Sequence, residues 1–206
     1  MANLLERRTD GSIALFINSD LQFDSNDERI YHEALALPAL AIATGRLQSQ
    51  LKVLVIGGGD GLIAREFFKS EAVISLDLVD YDPEILDIAR QDIAELNNRS
   101  LFDARIVTHV KDAWAFVDQA LADNVIYDLI VSDLTGVVDA TAARFHSIEW
   151  YGKLSRLLRA QGVLSVNALS AQRTPEAYWS IFNSISKANL HARPYHVNIP
   201  SFATLI

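Results

Sequence analysis

With 206 residues, half of them hydrophobic and 21% charged, the chain is long enough to bury one full α/β core and too apolar to be disordered. A net charge of −8, from 18 basic and 26 acidic residues, argues against nucleic-acid backbone binding as the main task and suits a cationic small molecule, although acidity that merely aids solubility explains the charge equally simply. The lack of cysteine removes disulfides, thiolate metal sites and cysteine nucleophiles, and the five histidines show no metal-ligand spacing, so no metal is expected.

Residues 1–10 carry Glu6, Arg7 and Arg8 and no signal-like apolar stretch. Short apolar runs at 12–17 and 21–23, on either side of Asn18-Ser19-Asp20, predict a β-hairpin within an N-terminal appendage, 1–26, ahead of a main domain, 27–206. Asp27 then opens a helix, DERIYHEALALPALAIAT, with acids in its first turn, a buried apolar stripe, and Pro38 placed to bend or divide it. The apolar run inside it, 34–43, is too short to span a bilayer, so the expectation is a soluble, cytoplasmic protein without a membrane partner.

From Leu51 onward strand and helix alternate. Strands are predicted near 52–56, 75–80, 104–109, 126–132 and 162–167, helices near 61–69, 83–95, 113–121, 145–158 and 174–188, and a last strand at 193–199. This is the pattern of a Rossmann-like, doubly wound, mainly parallel sheet. Asp82-Pro83 and Thr174-Pro175 each place a capping side chain before a proline at the first helical position.

The first strand and turn, VLVIGGGDG, carry the most information. Gly57, Gly59 and Gly61 let the backbone approach a ligand closely, and the following helix offers unpaired N–H groups at its positive end. Asp80 closes the next strand about 20 residues on, where such folds bond both ribose hydroxyls with a carboxylate. The dinucleotide fingerprint needs a third small residue, and Leu62 stands there, so NAD is disfavoured and an adenosyl-sulfonium cofactor remains. Asp60, inside the turn, would repel the carboxylate of S-adenosylmethionine and attract the ammonium of its decarboxylated form. Equally, Asp60 is suited simply to cap the next helix. Asp60, Asp80, Asp112 and Asp133 all fall at the carboxyl ends of predicted strands, where open parallel sheets bind ligands.

The segments LQFDSNDERIYHEAL (21–35), VLVIGGGDG with LVDYDP (53–83), HVKDAWAF (109–116), YDLIVSD (127–133) and PEAYWSIFNSISKANLHARPYHVNIPSF (175–202) together resemble the spermidine synthase, or polyamine aminopropyltransferase, family. The resemblance implies transfer of an aminopropyl group from decarboxylated S-adenosylmethionine to an amine such as putrescine, with release of methylthioadenosine and no metal. It implies that Asp60 holds the amine of the donor, that Asp80 binds ribose, and that Asp112, with Ala113 beside it, lies at the adenine amino group. Gln22, Tyr31 and Asp133 would contact the donor tail or the acceptor, with Asp133 as base, and Tyr31-His32-Glu33 matches the family's YHE segment, placing His32 at the substrate. Without the resemblance, Tyr31 reads as a core tyrosine on an amphipathic helix. A homodimer or homotetramer is implied only by likeness.

The chain departs from the family pattern in its acceptor half. Asp133 is usually followed by a second acid, where Gly136 stands here, with Asp139 a nearby substitute, and Phe202 replaces a frequent tyrosine. The family's Tyr-Gln element at the start and its final glycine- and aromatic-containing strand are missing from the likeness. Two other readings stay open: a methyltransferase using S-adenosylmethionine in the same crevice, and a catalytically weak homologue that binds a nucleoside or polyamine.

Overall fold

The computed structural model describes residues 2–134 and 140–203. Three strands, β1 (Asn3–Arg7), β2 (Ile13–Ile17) and β3 (Asp20–Asp24), pair antiparallel in that order. The expected hairpin is β2–β3, turned by Asn18 and Ser19, both at positive φ (52° and 72°), as a two-residue hairpin loop requires. β1 lies outside that expectation; its short run of mixed polarity becomes a strand through pairing, with Leu5 opposite Leu15.

Helix α1 (Glu28–Leu47) follows, with Pro38 inside it; of the two expected effects, bending or division, division does not occur. Proline has no N–H for the carbonyl four residues back, which here is Ala34. The Tyr195 hydroxyl donates to that carbonyl at 2.8 Å, supplying the missing bond from a segment 161 residues away.

The main sheet alternates with helices in the expected order: β4 (Leu51–Gly57), α2 (Leu62–Phe67), β5 (Val73–Asp80), α3 (Pro83–Gln91), β6 (Ile106–Val110), α4 (Ala113–Ala122), β7 (Tyr127–Asp133), the short α5 (Ala140–Ala143), α6 (Ile148–Leu157), β8 (Leu158–Val166), α7 (Pro175–Lys187) and the single turn α8 (Pro200–Ala203). The strands lie parallel in the order β6-β5-β4-β7-β8. Strand order reverses beside β4, so its carboxyl end, with that of β7, is the switch point at which open α/β sheets bind ligands.

Alternate residues of β4 feed two cores. Val53 and Val55 pack with Leu35 and Ala39 of α1 and with Leu62 and Phe67 of α2, together with Leu15 and Phe23 of the N-terminal sheet. Leu54 and Ile56 face Val117 of α4, Trp150 and Leu154 of α6, and Ile181 of α7. Burial on both faces explains why β4 and β7 read as nearly continuous apolar runs.

Three local expectations are corrected. No strand forms at 193–199 among the described residues: Pro194 cannot donate to a ladder, and Tyr195 spends its hydroxyl on α1 instead. Thr174 does not cap α7; its hydroxyl donates backwards to the Ser170 carbonyl at 3.0 Å. α3 stops at Gln91 rather than near 95, and the chain turns through Asn98 and Arg99 at positive φ into a 3-10 turn at Ser100–Phe102. The cap at Asp82 is as expected, accepting from the Glu84 N–H at 2.9 Å.

Candidate active site

The crevice is built around the glycine turn. Gly57, Gly58 and Gly61 adopt φ of 81°, 67° and 78°, a region costly for other residues. A Cβ on Gly57 would lie 2.1 Å from the Asp133 carbonyl oxygen, and one on Gly59 2.6 Å from Asp80 Oδ2. These glycines are therefore demanded by close approach: β7 packs against the turn, and the Asp80 carboxylate sits directly beside Gly59.

Asp80, the last residue of β5, accepts from the Gly59 N–H through Oδ2 and from the Asp82 N–H through Oδ1, both at 3.0 Å. Each carboxylate oxygen has a second lone pair for a further donor, as a ribose diol would require. Burial raises its pKa, while the two N–H donors oppose that rise. Asp60 accepts from the Leu62 N–H at 2.8 Å through Oδ1 in a local turn just ahead of α2, whose N-cap is Gly61 with no side-chain cap bond, so the expected helix-capping role is replaced by a turn bond. It occupies one oxygen of two, and the same carboxylate acts electrostatically on Tyr31, His32, Asp80 and Asp133. The turn bond and cation recognition are compatible.

Across the turn, the Tyr31 hydroxyl donates to Asp133 Oδ1 in a short hydrogen bond between α1 and the end of β7. Asp133 Oδ2 would lie 3.8 Å from a Cβ at Gly58, so this carboxylate faces the glycine turn. Burial pushes the Asp133 pKa up to about 6, against the lowering effects of the Tyr31 hydroxyl and the His32 charge. Burial, and then Asp133, hold the Tyr31 phenol well above its ordinary value, so tyrosine is the donor and aspartate the acceptor in this pair. The Phe202 ring meets Tyr31 edge-on with centroids 6.2 Å apart.

The other sequence-predicted residues are placed differently. Asp112 caps α4 by accepting from the Ala115 N–H at 3.0 Å, and its second oxygen accepts from Arg144 Nη2 at 2.6 Å. Ala113 is buried behind it as the first residue of α4. Gln22 folds back onto the Asp20 carbonyl, donating from Nε2 at 2.9 Å. His32 is only 2% exposed and turns Nδ1 toward Glu28. Gly136, Val137 and Asp139, the positions of the missing second acid and its substitute, lie outside the described residues. Among the described residues no group of three or more His, Cys, Asp or Glu side chains could hold a metal ion, and no helix is long and apolar enough to cross a membrane.

Sequence reasoning missed the residues that support the turn from behind. Asn97, fully buried, donates from Nδ2 to the Asp60 carbonyl at 2.9 Å and the Ala89 carbonyl at 2.8 Å, and the Ser100 hydroxyl donates to the Gly61 carbonyl at 2.7 Å. The polar cluster Asn97-Asn98-Arg99-Ser100 was the available signal: such a run after an apolar helix marks a structured turn.

The arrangement offers a carboxylate with spare lone pairs beside the glycine turn, a second carboxylate inside that turn, and a part-buried aspartate–tyrosine pair that can accept a proton near neutral pH. The Spermine/spermidine synthase domain model matches residues 28–206 of the chain. The chain is 36% identical over 194 residues to Polyamine aminopropyltransferase 2 of Bacillus anthracis, an alignment covering 93% of this chain and 52% of the relative. It is 32% identical over 199 residues to the polyamine aminopropyltransferase of Mycobacterium tuberculosis, covering 97% and 37% respectively. The fold is shared with spermidine synthase from Thermotoga maritima, with a TM-score of 0.78 at 22% identity over 90% of this chain and 60% of that one. It is shared also with a spermidine synthase in complex with the transition state analogue AdoDATO, at a TM-score of 0.81, 22% identity, and coverage of 90% and 61%. The chain spans about half or less of the length of the curated relatives named here. With a family model covering most of its residues, the chain belongs to the spermine/spermidine synthase domain family.

Proposed function

We propose that this chain carries the catalytic crevice of an aminopropyltransferase, which moves the aminopropyl group of decarboxylated S-adenosylmethionine to an amine such as putrescine. The observation that carries the reading is the Tyr31–Asp133 pair facing a glycine turn that holds Asp60. Asp80 binds the ribose hydroxyls, and Asp112, beside Ala113, takes the adenine amino group while sharing its carboxylate with Arg144. Asp60 keeps one oxygen on the Leu62 N–H and offers the other to the donor's ammonium. The same charge disfavours the carboxylate of S-adenosylmethionine.

An ammonium has no lone pair, so the acceptor must lose a proton before it attacks. The Asp133 carboxylate takes that proton, and its pKa of about 6 leaves it ionised but basic near neutral pH. The freed nitrogen pair forms a bond to the carbon beside the sulfonium, the carbon–sulfur bond breaks, and its electrons neutralise sulfur, releasing methylthioadenosine. Sulfonium is already a good leaving group, so alignment of the two reactants supplies much of the acceleration. Tyr31 steadies the carboxylate in the orientation that receives the proton.

The reading is tested by incubating the protein with decarboxylated S-adenosylmethionine or S-adenosylmethionine and a panel of amines, then weighing the products. An amine heavier by one aminopropyl group is expected. An amine heavier by one methyl group would make the protein a methyltransferase, and unchanged amines would leave a binding protein.

A further inference from the structure

Beyond sharing Asp112, Arg144 has no part in the steps above, yet an aromatic socket surrounds it. Its guanidinium carbon lies 4.7 Å from the Phe145 ring centroid and 5.4 Å from that of Trp114. Trp114 stacks on the fully buried Trp150 with centroids 5.4 Å apart, and Phe145 meets Trp150 edge-on at 5.0 Å. Two rings anchored to the second core therefore hold the guanidinium where the 3-10 turn Arg144–His146 delivers it.

The ion pair itself adds little stability. Its side chains are 39% and 48% exposed, and a pair that open to water is worth at most about 1 kcal/mol. What the socket fixes is direction: Arg144 Nη2 donates to Asp112 Oδ2 at 2.6 Å, while Nε is enclosed without a hydrogen-bond partner. A guanidinium carries five N–H donors. With one on Asp112 and one enclosed, the remaining N–H groups of Nη1 and Nη2 have no acceptor among the described residues.

We propose that Arg144 determines base specificity in the nucleoside site: while Asp112 accepts from the adenine amino group, Arg144 donates an Nη hydrogen to a ring nitrogen flanking that group. The inference rests on the aminopropyltransferase reading for the place of adenine at Asp112. Each oxygen of Asp112 holds one donor, the Ala115 N–H on Oδ1 and Arg144 on Oδ2, and keeps a second lone pair. Two donors on one carboxylate oxygen stand roughly 4–5 Å apart, so an amino group on Oδ2 brings the neighbouring ring position within reach of Nη1 or Nη2. A carboxylate beside a guanidinium is then an acceptor next to a donor. Adenine presents the complement, an amino donor with the acceptors N1 and N7 on its two flanks.

Calorimetric titration of methylthioadenosine, its 1-deaza analogue and its 7-deaza analogue into the whole chain and into Arg144→Met tests the assignment without turnover. Methionine keeps a long apolar side chain against Trp114 and Phe145 and removes every donor. The unaltered protein is expected to bind methylthioadenosine about tenfold to a hundredfold more tightly than one of the two analogues, the range for one charge-assisted hydrogen bond. That preference should vanish in Arg144→Met, while the preference over the other analogue is unchanged. A preference that survives the substitution, or a loss of affinity shared equally by all three nucleosides, overturns the proposal. So does tighter binding by the variant, which would make Arg144 a block over the base. Where Arg144→Met does not fold, Arg144→Leu gives the same reading. Failure of the aminopropyltransferase reading shows separately: absent transfer in the product assay with the analogue pattern intact leaves a nucleoside site whose base Arg144 still reads, and no binding of methylthioadenosine overturns both.

Discussion

Where the glycine turn meets Asp80, the polar contacts are short-range or made by backbone: Gly59 and Asp82 donate to one carboxylate, Leu62 donates to Asp60, and the turn's shape comes with the strand and helix on either side. Where Tyr31 meets Asp133, the contacts join distant parts of the chain. Tyr31 and Asp133 are 102 residues apart, and Asp27, at the mouth of α1, accepts from the backbone and hydroxyl of Ser201, 174 residues on. The donor side is a cradle that local structure largely prescribes, while the acceptor side exists only once the whole domain has closed. Changes on the first should damage the fold or nucleoside binding, and changes on the second should damage amine handling with the nucleoside untouched.

The largest effect is expected at the proton acceptor. Asp133→Asn should lower kcat by about a hundredfold to ten-thousandfold while methylthioadenosine still binds, because a general base contributes on that order. The same substitution should stabilise the protein at pH 7. A folded pKa of about 6 against an ordinary 3.8 means that folding takes up a proton between those values, so stability falls as pH rises through that window. Asparagine removes the cost of that charge, about 3 kcal/mol for a rise from 3.8 to about 6, and the gain should vanish below about pH 3, where Asp133 is protonated folded or unfolded. Denaturant melts at the two pH values check both signs.

On the donor side, Gly57→Ala should cost about 3 kcal/mol or more, since its Cβ would sit 2.1 Å from the Asp133 carbonyl oxygen at an unfavourable positive φ. Thermal unfolding measures the loss, and a neutral result would show the cradle to be softer than its contacts imply. The smallest effect is expected from Asp27→Ala, which unpins the turn at Ser201 and costs about 1–2 kcal/mol. Putrescine affinity should fall several-fold and methylthioadenosine affinity should not. Equal losses would erase the distinction between the two sides.

The same distinction explains what could be read from the chain. The parallel sheet, the glycine turn, Asp80 and the cap at Asp82 were legible because alternating apolar runs, positive-φ glycines and an acid before proline are local signals. Family likeness alone put Tyr31 and Asp133 in one site, without the bond between them, since an amphipathic helix by itself makes Tyr31 a core residue. The clamp of Arg65 on Glu28, the return of Tyr195 onto the carbonyl freed by Pro38, and the support from Asn97 and Ser100 leave no periodic trace. The strand expected at 193–199 failed for the complementary reason: propensity proposes a strand, but a strand forms only where a partner edge receives it.

The central claim is that a carboxylate in the glycine turn selects a cationic aminopropyl tail, and calorimetry measures it directly. Titrating decarboxylated S-adenosylmethionine and S-adenosylmethionine into the unaltered protein and into Asp60→Asn should show the decarboxylated donor bound at least about tenfold more tightly by the unaltered protein, with most of that preference lost in the variant. Equal binding of the two by the unaltered protein, or a preference that survives Asp60→Asn, would contradict the account.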